Sequence, residues 1–229
     1  MPFEIDFLSV GDGSKSGDAI ALRYSAENSF KLMVVDGGTQ ESGEKLVELV
    51  QTYYRSSHVD YVVCSHPDDD HASGLRVVLD NLSIGELWLH VPWAHSAQTL
   101  TLFQNPNWTT ETLAKEIHNN YPILAELVQN ALSKGVRIYE PFQGLQIGPF
   151  TVLSPSQQTY ENLMPLFRDT PEPNQTRVQA WRSRLADLAR RVVEAIQNLV
   201  PQVLVPPNSS RGWHNFCGKR EQHCTLWDP

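Results

Sequence analysis

The first third of the chain alternates apolar and polar residues in short runs that are typical of strands. In residues 3–10, Ile5 and Phe7 alternate with polar neighbours, which is the period of two expected of a half-buried strand. Further strands are predicted at 19–24, 31–35 and 59–64. The run at 31–35 stops at Asp36-Gly37-Gly38, where two glycines allow a sharp turn.

Helical periodicity enters after residue 41. Leu46, Val47, Leu49 and Val50 recur at helical spacing and predict a helix over 42–54. The same spacing predicts helices over 72–81, 109–118, 121–134 and 181–199. Short apolar segments between them predict strands at 84–91, 136–139 and 150–153. Strands first, then strands alternating with helices, indicate a layered α/β fold.

Composition narrows the classes of protein that fit this pattern. The chain has 229 residues, 41% of them hydrophobic and 19% charged, which suits one sizeable globular domain. Its formal net charge of −8 predicts no strong binding to a nucleic-acid backbone, because such binding needs Lys and Arg. Phosphate-containing substrates stay open, since a bound divalent metal reverses the sign of the local field.

Neither a membrane span nor a secretory signal is recognisable in the sequence. The three cysteines, Cys64, Cys217 and Cys224, are an odd number without metal-binding spacing. We therefore expect a cytoplasmic protein with no membrane partner.

One short segment concentrates ionisable groups, His66-Pro67-Asp68-Asp69-Asp70-His71, directly after the strand at 59–64. Two imidazoles and three carboxylates so close together would repel and lose solvation without a counter-charge. Alternate residues of an extended loop point to one side, so His66, Asp68 and Asp70 can converge and the next turn can bring His71 round. Imidazole with carboxylate suits zinc, manganese or iron, so the segment predicts a transition-metal site.

This segment has two other interpretations. A solvated Asp-rich turn would need no metal, and a calcium loop could use the three aspartates. Calcium prefers oxygen ligands, which leaves the flanking histidines unexplained. His90 and His95 could also approach a metal, but we interpret both as structural histidines with satisfied hydrogen bonds.

The pattern His66-x-Asp68-x-Asp70-His71 after a strand resembles the His-x-His/Asp-x-Asp-His signature of the metallo-β-lactamase superfamily. Three upstream segments, Phe7-Leu8-Ser9-Val10-Gly11, Gly17-Asp18-Ala19-Ile20 and Val35-Asp36-Gly37-Gly38, resemble the N-terminal half of the domain attached to bacterial competence (DNA-uptake) channel proteins. The resemblance covers about residues 3–155. It implies a metallo-β-lactamase-like αβ/βα sandwich.

The resemblance also implies roles for the matching residues. His66 and Asp68 would serve one metal ion, and Asp70 and His71 a second. Asp70 would also orient the nucleophilic water and so act as the catalytic residue. Asp36 would steady the site without binding metal, although it could also simply cap a tight turn. Two divalent ions are therefore expected, zinc first, with manganese an alternative because Asp68 stands where many members have a second histidine.

Further ligands that the resemblance implies downstream are not recognisable in the sequence. We therefore expect a domain over residues 1–200 that completes only the first half of the sandwich, followed by an irregular tail at 201–229. Read one base out of register, the tail can encode a string resembling the next family strand. This match suggests a frameshift at about 206–212.

Three functions follow, in order of preference. The first is a metal-dependent hydrolase that uses activated water on a phosphodiester, nucleic-acid-related or other small-molecule substrate. The second is a lactam, ester or thioester hydrolase of the same superfamily. The third is an inactive, truncated remnant or a partner-binding module.

Overall fold

The computed structural model describes residues 3–11, 17–26, 29–177, 179–180, 182–183, 186–187 and 190–191. The chain divides into two units, Met1–Gln179 and Ala180–Pro229. In the second unit the described residues up to 191 are helical, which agrees with helicity in the first part of the predicted range 181–199. The predicted start at 181 was wrong, because residues 175–177 and 179–180 are already helical. The remainder of that helix and the predicted tail at 201–229 lie outside the described residues.

Six strands of the first unit lie side by side in chain order. They are β1 (Phe3–Phe7), β2 (Ala19–Ala26), β3 (Ser29–Gly37), β4 (His58–Val63), β5 (Ser83–Trp88) and β6 (Arg137–Tyr139). The first three strands pair antiparallel, and β3 to β6 pair parallel. The carboxyl ends of the parallel strands therefore share one edge, where α/β proteins usually bind ligands.

Helices connect the parallel strands, as βαβ geometry requires. They are α1 (Gln40–Glu48), which continues in a π-helical turn (Leu49–Tyr53), α2 (Asp69–Asn81), α3 (Ser96–Thr99), α4 (Thr110–Asn120) and α5 (Pro122–Ser133). A further helix, α6 (Gln157–Leu163), comes after β6. Short 3₁₀ turns at Pro92–His95, Leu100–Leu102 and Met164–Leu166 flank α3 and follow α6, and a hairpin pairs β7 (Gln146–Ile147) with β8 (Phe150–Thr151). The predicted mixed α/β fold is confirmed.

Two helices begin earlier than the sequence pattern predicted. Helix α1 starts after Thr39, whose side chain accepts from the Ser42 backbone N–H, so the predicted start at Ser42 was wrong. Helix α2 starts three residues before the predicted 72, because Asp68 is its N-cap residue. Asp69 and Asp70 lie in the first turn of α2, where their negative charge stabilises the helix by interacting with the positive end of its dipole. Because α2 begins this early, His71 lies in the first turn of the helix and not in the preceding loop.

The main core lies between one face of the sheet and the helices. Helix α2 packs against α1, α5 and β3, and Leu75 and Leu79 on it are fully buried. Burying each such leucine contributes about 1.5–3 kcal/mol. This burial holds α2, and therefore its first turn, in one position against the sheet.

Backbone contact between α2 and the end of β3 is unusually close. A Cβ atom added at Gly74 would lie 2.0 Å from the Gly37 carbonyl oxygen and 2.5 Å from that of Thr39. The Gly74 N–H donates to the Gly38 carbonyl at 2.9 Å. Only glycine permits this approach, which brings the first turn of α2 beside the carboxyl end of β3.

The second face of the sheet carries a smaller apolar cluster. Tyr24, Met33 and Trp88 pack there with Ile147 of the hairpin. Phe3 and Phe7 of β1 are 72% and 75% exposed. None of the helices in the described part of the chain is long and apolar enough to cross a bilayer.

Candidate metal centre

Polar side chains meet at the carboxyl edge of β3 and β4. Asp36 is the last residue but one of β3, and Ser65 and His66 follow β4. The parallel register aligns Val35 with Val63, so Asp36 and Ser65 leave neighbouring strands side by side. Asp36 is 2% exposed and has a φ of 55°, a left-handed conformation that Asp tolerates better than most residues.

The Asp36 carboxylate accepts three hydrogen bonds. Oδ1 accepts from the Ser65 backbone N–H at 2.7 Å, and Oδ2 accepts from the Ser65 hydroxyl at 2.5 Å. Oδ2 also accepts from Nδ1 of His71 at 3.0 Å. Because an ionised carboxylate only accepts, Nδ1 of His71 carries a proton.

The same count of donors and acceptors defines which nitrogen of His66 is protonated. Ser65 has one hydroxyl proton and donates it to Asp36, so its Oγ accepts from Nδ1 of His66, 2.8 Å away. In its neutral form each ring therefore holds its proton on Nδ1. In each ring Nε2 keeps the lone pair that a metal needs.

His66 and His71 are close enough to share a cation. Their ring centroids lie 3.8 Å apart, and one ligand atom from each of Asp36, His66 and His71 fits within 4.8 Å of the others. Two imidazoles beside a buried carboxylate fit a transition metal. Because Asp36 already accepts three hydrogen bonds, it is better placed to orient His71 than to bind metal, as metal-binding histidines commonly require.

The other predicted ligands lie nearby but outside this group. Asp68 is the N-cap of α2 and lies 3.5 Å from the Arg168 guanidinium. Asp70 is in the first turn of α2. Its backbone packs closely against Gly17, because a Cβ atom added at Gly17 would lie 1.6 Å from the backbone carbonyl oxygen of Asp70. The metal-binding roles of Asp68 and Asp70, and the catalytic role of Asp70, stay predictions.

His95 has the structural role that we favoured. Its Nδ1 lies 3.0 Å from Glu161 and its Nε2 lies 3.0 Å from Glu140, so neither nitrogen is left for a metal. Burial opposes the charged form, but the hydrogen bonds to Glu140 and Glu161 prevail and raise the pKa of His95.

His90 differs from His95. It follows β5 and stacks on Tyr160, with ring centroids 4.3 Å apart. Its buried Nδ1 has no hydrogen-bond partner among the described residues. Burial lowers the pKa of His90 to about 4, so its ring is neutral at neutral pH.

A cavity of about 490 Å³ opens beside His66 and Asp68. Tyr121, Tyr160 and Phe167 are among the residues that line it. These aromatic residues and Ser65 were not predicted from the sequence, because no local motif marks them. The serine directly before the His/Asp segment was the one available signal.

Replacing Ser65 with alanine is expected to weaken zinc affinity about tenfold. The change removes the acceptor for Nδ1–H of His66 and frees the ring to turn, and such supporting contacts typically contribute 10–100-fold in affinity. Competition with a chromophoric chelator measures this effect, and Ser133→Ala on the exposed surface of α5 is the control. An affinity equal to that of the control variant would contradict the proposed role of Ser65.

Comparisons with known proteins add independent information. Residues 27–136 match the family model described as metallo-beta-lactamase superfamily. No curated protein matches the chain.

Among solved structures, a presumed metallo-beta-lactamase from Thermotoga maritima is similar at 12% identity with a TM-score of 0.37. The alignment covers 64% of this chain and 62% of that one. A metallo-beta-lactamase from Hirschia baltica is similar at 13% identity with a TM-score of 0.24, over 38% of this chain and 37% of that one. At these scores the two likenesses support no further conclusion. The family match stands on the sequence of residues 27–136, which is similar to the metallo-beta-lactamase superfamily model.

Proposed function

We propose that the protein is a metal-dependent hydrolase that directs an activated water at a small-molecule substrate, with a phosphodiester as the first candidate. The observation that carries this proposal is the pair of imidazoles 3.8 Å apart, each with its proton on Nδ1. A buried aspartate and a serine fix both rings. The superfamily match of the surrounding sequence supports the same chemistry.

His66 and His71 would hold the metal. A divalent ion bound there supplies positive charge that polarises the scissile bond and makes water a nucleophile near neutral pH. Asp36 and Ser65 fix the two rings, which keeps the site preorganised. Asp70 is proposed to orient the attacking water, and Asp68 and Asp70 to complete sites for two ions, zinc or manganese.

The surroundings favour a small substrate over a polymer. The adjacent cavity of about 490 Å³ falls in the range of small-molecule pockets. The net charge of −8 opposes capture of a long polyanion. Hydrolysis of a lactam, ester or thioester is the alternative that the same chemistry allows.

The test is a panel of three substrates: bis-p-nitrophenyl phosphate, a lactam and a thioester. Each is assayed with zinc and with manganese. We expect turnover of at least one substrate, and a loss of at least about 100-fold in His71→Ala, because one ligand is gone while the fold persists. His58→Ala is the matched control, since His58 lies at the exposed start of β4.

The outcomes separate cleanly. Activity that depends on metal, falls in His71→Ala and persists in His58→Ala supports the proposal. Equal activity in both variants would place the chemistry elsewhere. An absence of turnover with either metal on all three substrates would contradict the hydrolase proposal.

A further inference from the structure

The cavity beside His66 differs in character from the acidic loop that it adjoins. Its inner wall is apolar, formed mainly by Leu89, Pro92, Leu124, Tyr160, Leu163 and Phe167. These residues come from the end of β5, from the 3₁₀ turn before α3, from α5 and α6, and from the end of the 3₁₀ turn after α6. Apolar walls from separate elements make a preformed pocket rather than a gap within one loop.

Aromatic rings that contact one another form part of this wall. Tyr160 stacks on His90 at 4.3 Å and meets Phe167 at 5.5 Å between ring centroids. His90 is neutral there because burial lowers its pKa to about 4. Rings held in this way offer faces and edges to a further aromatic group.

Among the residues that line the cavity, the charged ones are Asp68, Arg168 and Asp169, which are partly or fully exposed to solvent and so mark its mouth. Asp68 and Asp169 contribute carboxylates, and Arg168 contributes a guanidinium 3.5 Å from Asp68. Arg168 is the one Lys or Arg among the residues that line the cavity, and it is already paired with the Asp68 carboxylate. This mouth offers little to a polyanion, while the interior offers apolar surface to one uncharged group.

We propose that the cavity binds an aromatic group of the substrate and so presents the adjoining scissile bond to the centre at His66 and His71. The substrate class is therefore an aryl ester, either of phosphoric or of carboxylic acid. This inference rests on the proposed hydrolase function, but binding of the aromatic group needs no metal.

The test is calorimetric titration of the full chain with 2-naphthol in EDTA. Leu163→Asp places a carboxylate in the pocket wall, and we expect it to weaken binding at least about tenfold. Phe7→Asp is the control, because Phe7 is an exposed apolar residue on the sheet outside the cavity. That variant should bind as the parent protein does.

A second variant guards against misfolding. Leu163→Trp keeps the wall apolar but fills the cavity, so it should also weaken binding while the circular dichroism spectrum stays unchanged. Undiminished binding in both Leu163 variants, or equal loss in Phe7→Asp, would overturn the proposal. If 2-naphthol binds as expected but no ester is hydrolysed, the proposed function fails and the pocket stands. If metal-dependent hydrolysis occurs without naphthol binding, the pocket inference fails alone.

Discussion

Replacing Gly74 with valine is expected to destabilise the fold by about 3 kcal/mol and to abolish metal binding. A Cβ at this position would lie 2.0 Å from the Gly37 carbonyl oxygen. The obstacle is backbone, which cannot swing aside as a side chain can, so the cost falls at the upper end of overpacking effects. Helix α2 would have to move away from β3 and would carry His71 away from Asp36.

Urea denaturation followed by circular dichroism measures the change in the free energy of unfolding. Asn81→Val is the control, because it adds the same side chain at the exposed end of the same helix. That control should change the free energy by about 0.5 kcal/mol or less. A Gly74→Val midpoint equal to that of the control would show that the close approach of α2 and β3 is absent in solution.

Replacing Asp36 with alanine is expected to weaken zinc affinity about 100-fold and to lower the free energy of unfolding by about 3 kcal/mol. The change leaves the Ser65 N–H, the Ser65 hydroxyl and Nδ1–H of His71 without their acceptor. Buried donors left unpaired cost about 1–3 kcal/mol each in the worst case. Loss of the group that orients a metal-binding histidine typically costs 10–100-fold in affinity.

Two further variants make the Asp36 result specific. Asp36→Asn keeps the volume and one acceptor oxygen, so its affinity should fall between those of the parent and Asp36→Ala. Asp80→Ala removes an exposed carboxylate at the far end of α2 and should leave zinc affinity unchanged. An Asp36→Ala protein with the affinity of Asp80→Ala would refute the orienting role.

Local pattern in the sequence predicted much of the fold. Alternation and short apolar runs predicted the strands, and helical spacing predicted α1, α2, α4 and α5, because each signal lies within one element. Helices α3 and α6 and the strand β7 were missed. All three are short, and their stability comes from packing against other parts of the chain.

The candidate site divides in the same way. The segment from His66 to His71 was visible because its ionisable groups are adjacent in sequence, and Asp36 was found through a family resemblance. Ser65 was missed because its role depends on the register of β3 against β4, which no local pattern encodes. The predicted convergence of Asp68 and Asp70 with His66 assumed an extended loop, whereas α2 begins at Asp69. The group whose ligand atoms lie within 4.8 Å of one another consists of Asp36, His66 and His71, and the metal-binding roles of Asp68 and Asp70 stay predictions.

Zinc content after dialysis, measured by mass spectrometry on the parent protein and on a His66→Ala/His71→Ala double variant, tests the metal centre most directly. The parent should retain zinc, and the double variant should retain less than about a tenth as much, since both Nε2 ligands are gone. A parent protein that holds no zinc or manganese, or a double variant that holds as much as the parent, would contradict a metal centre at these histidines.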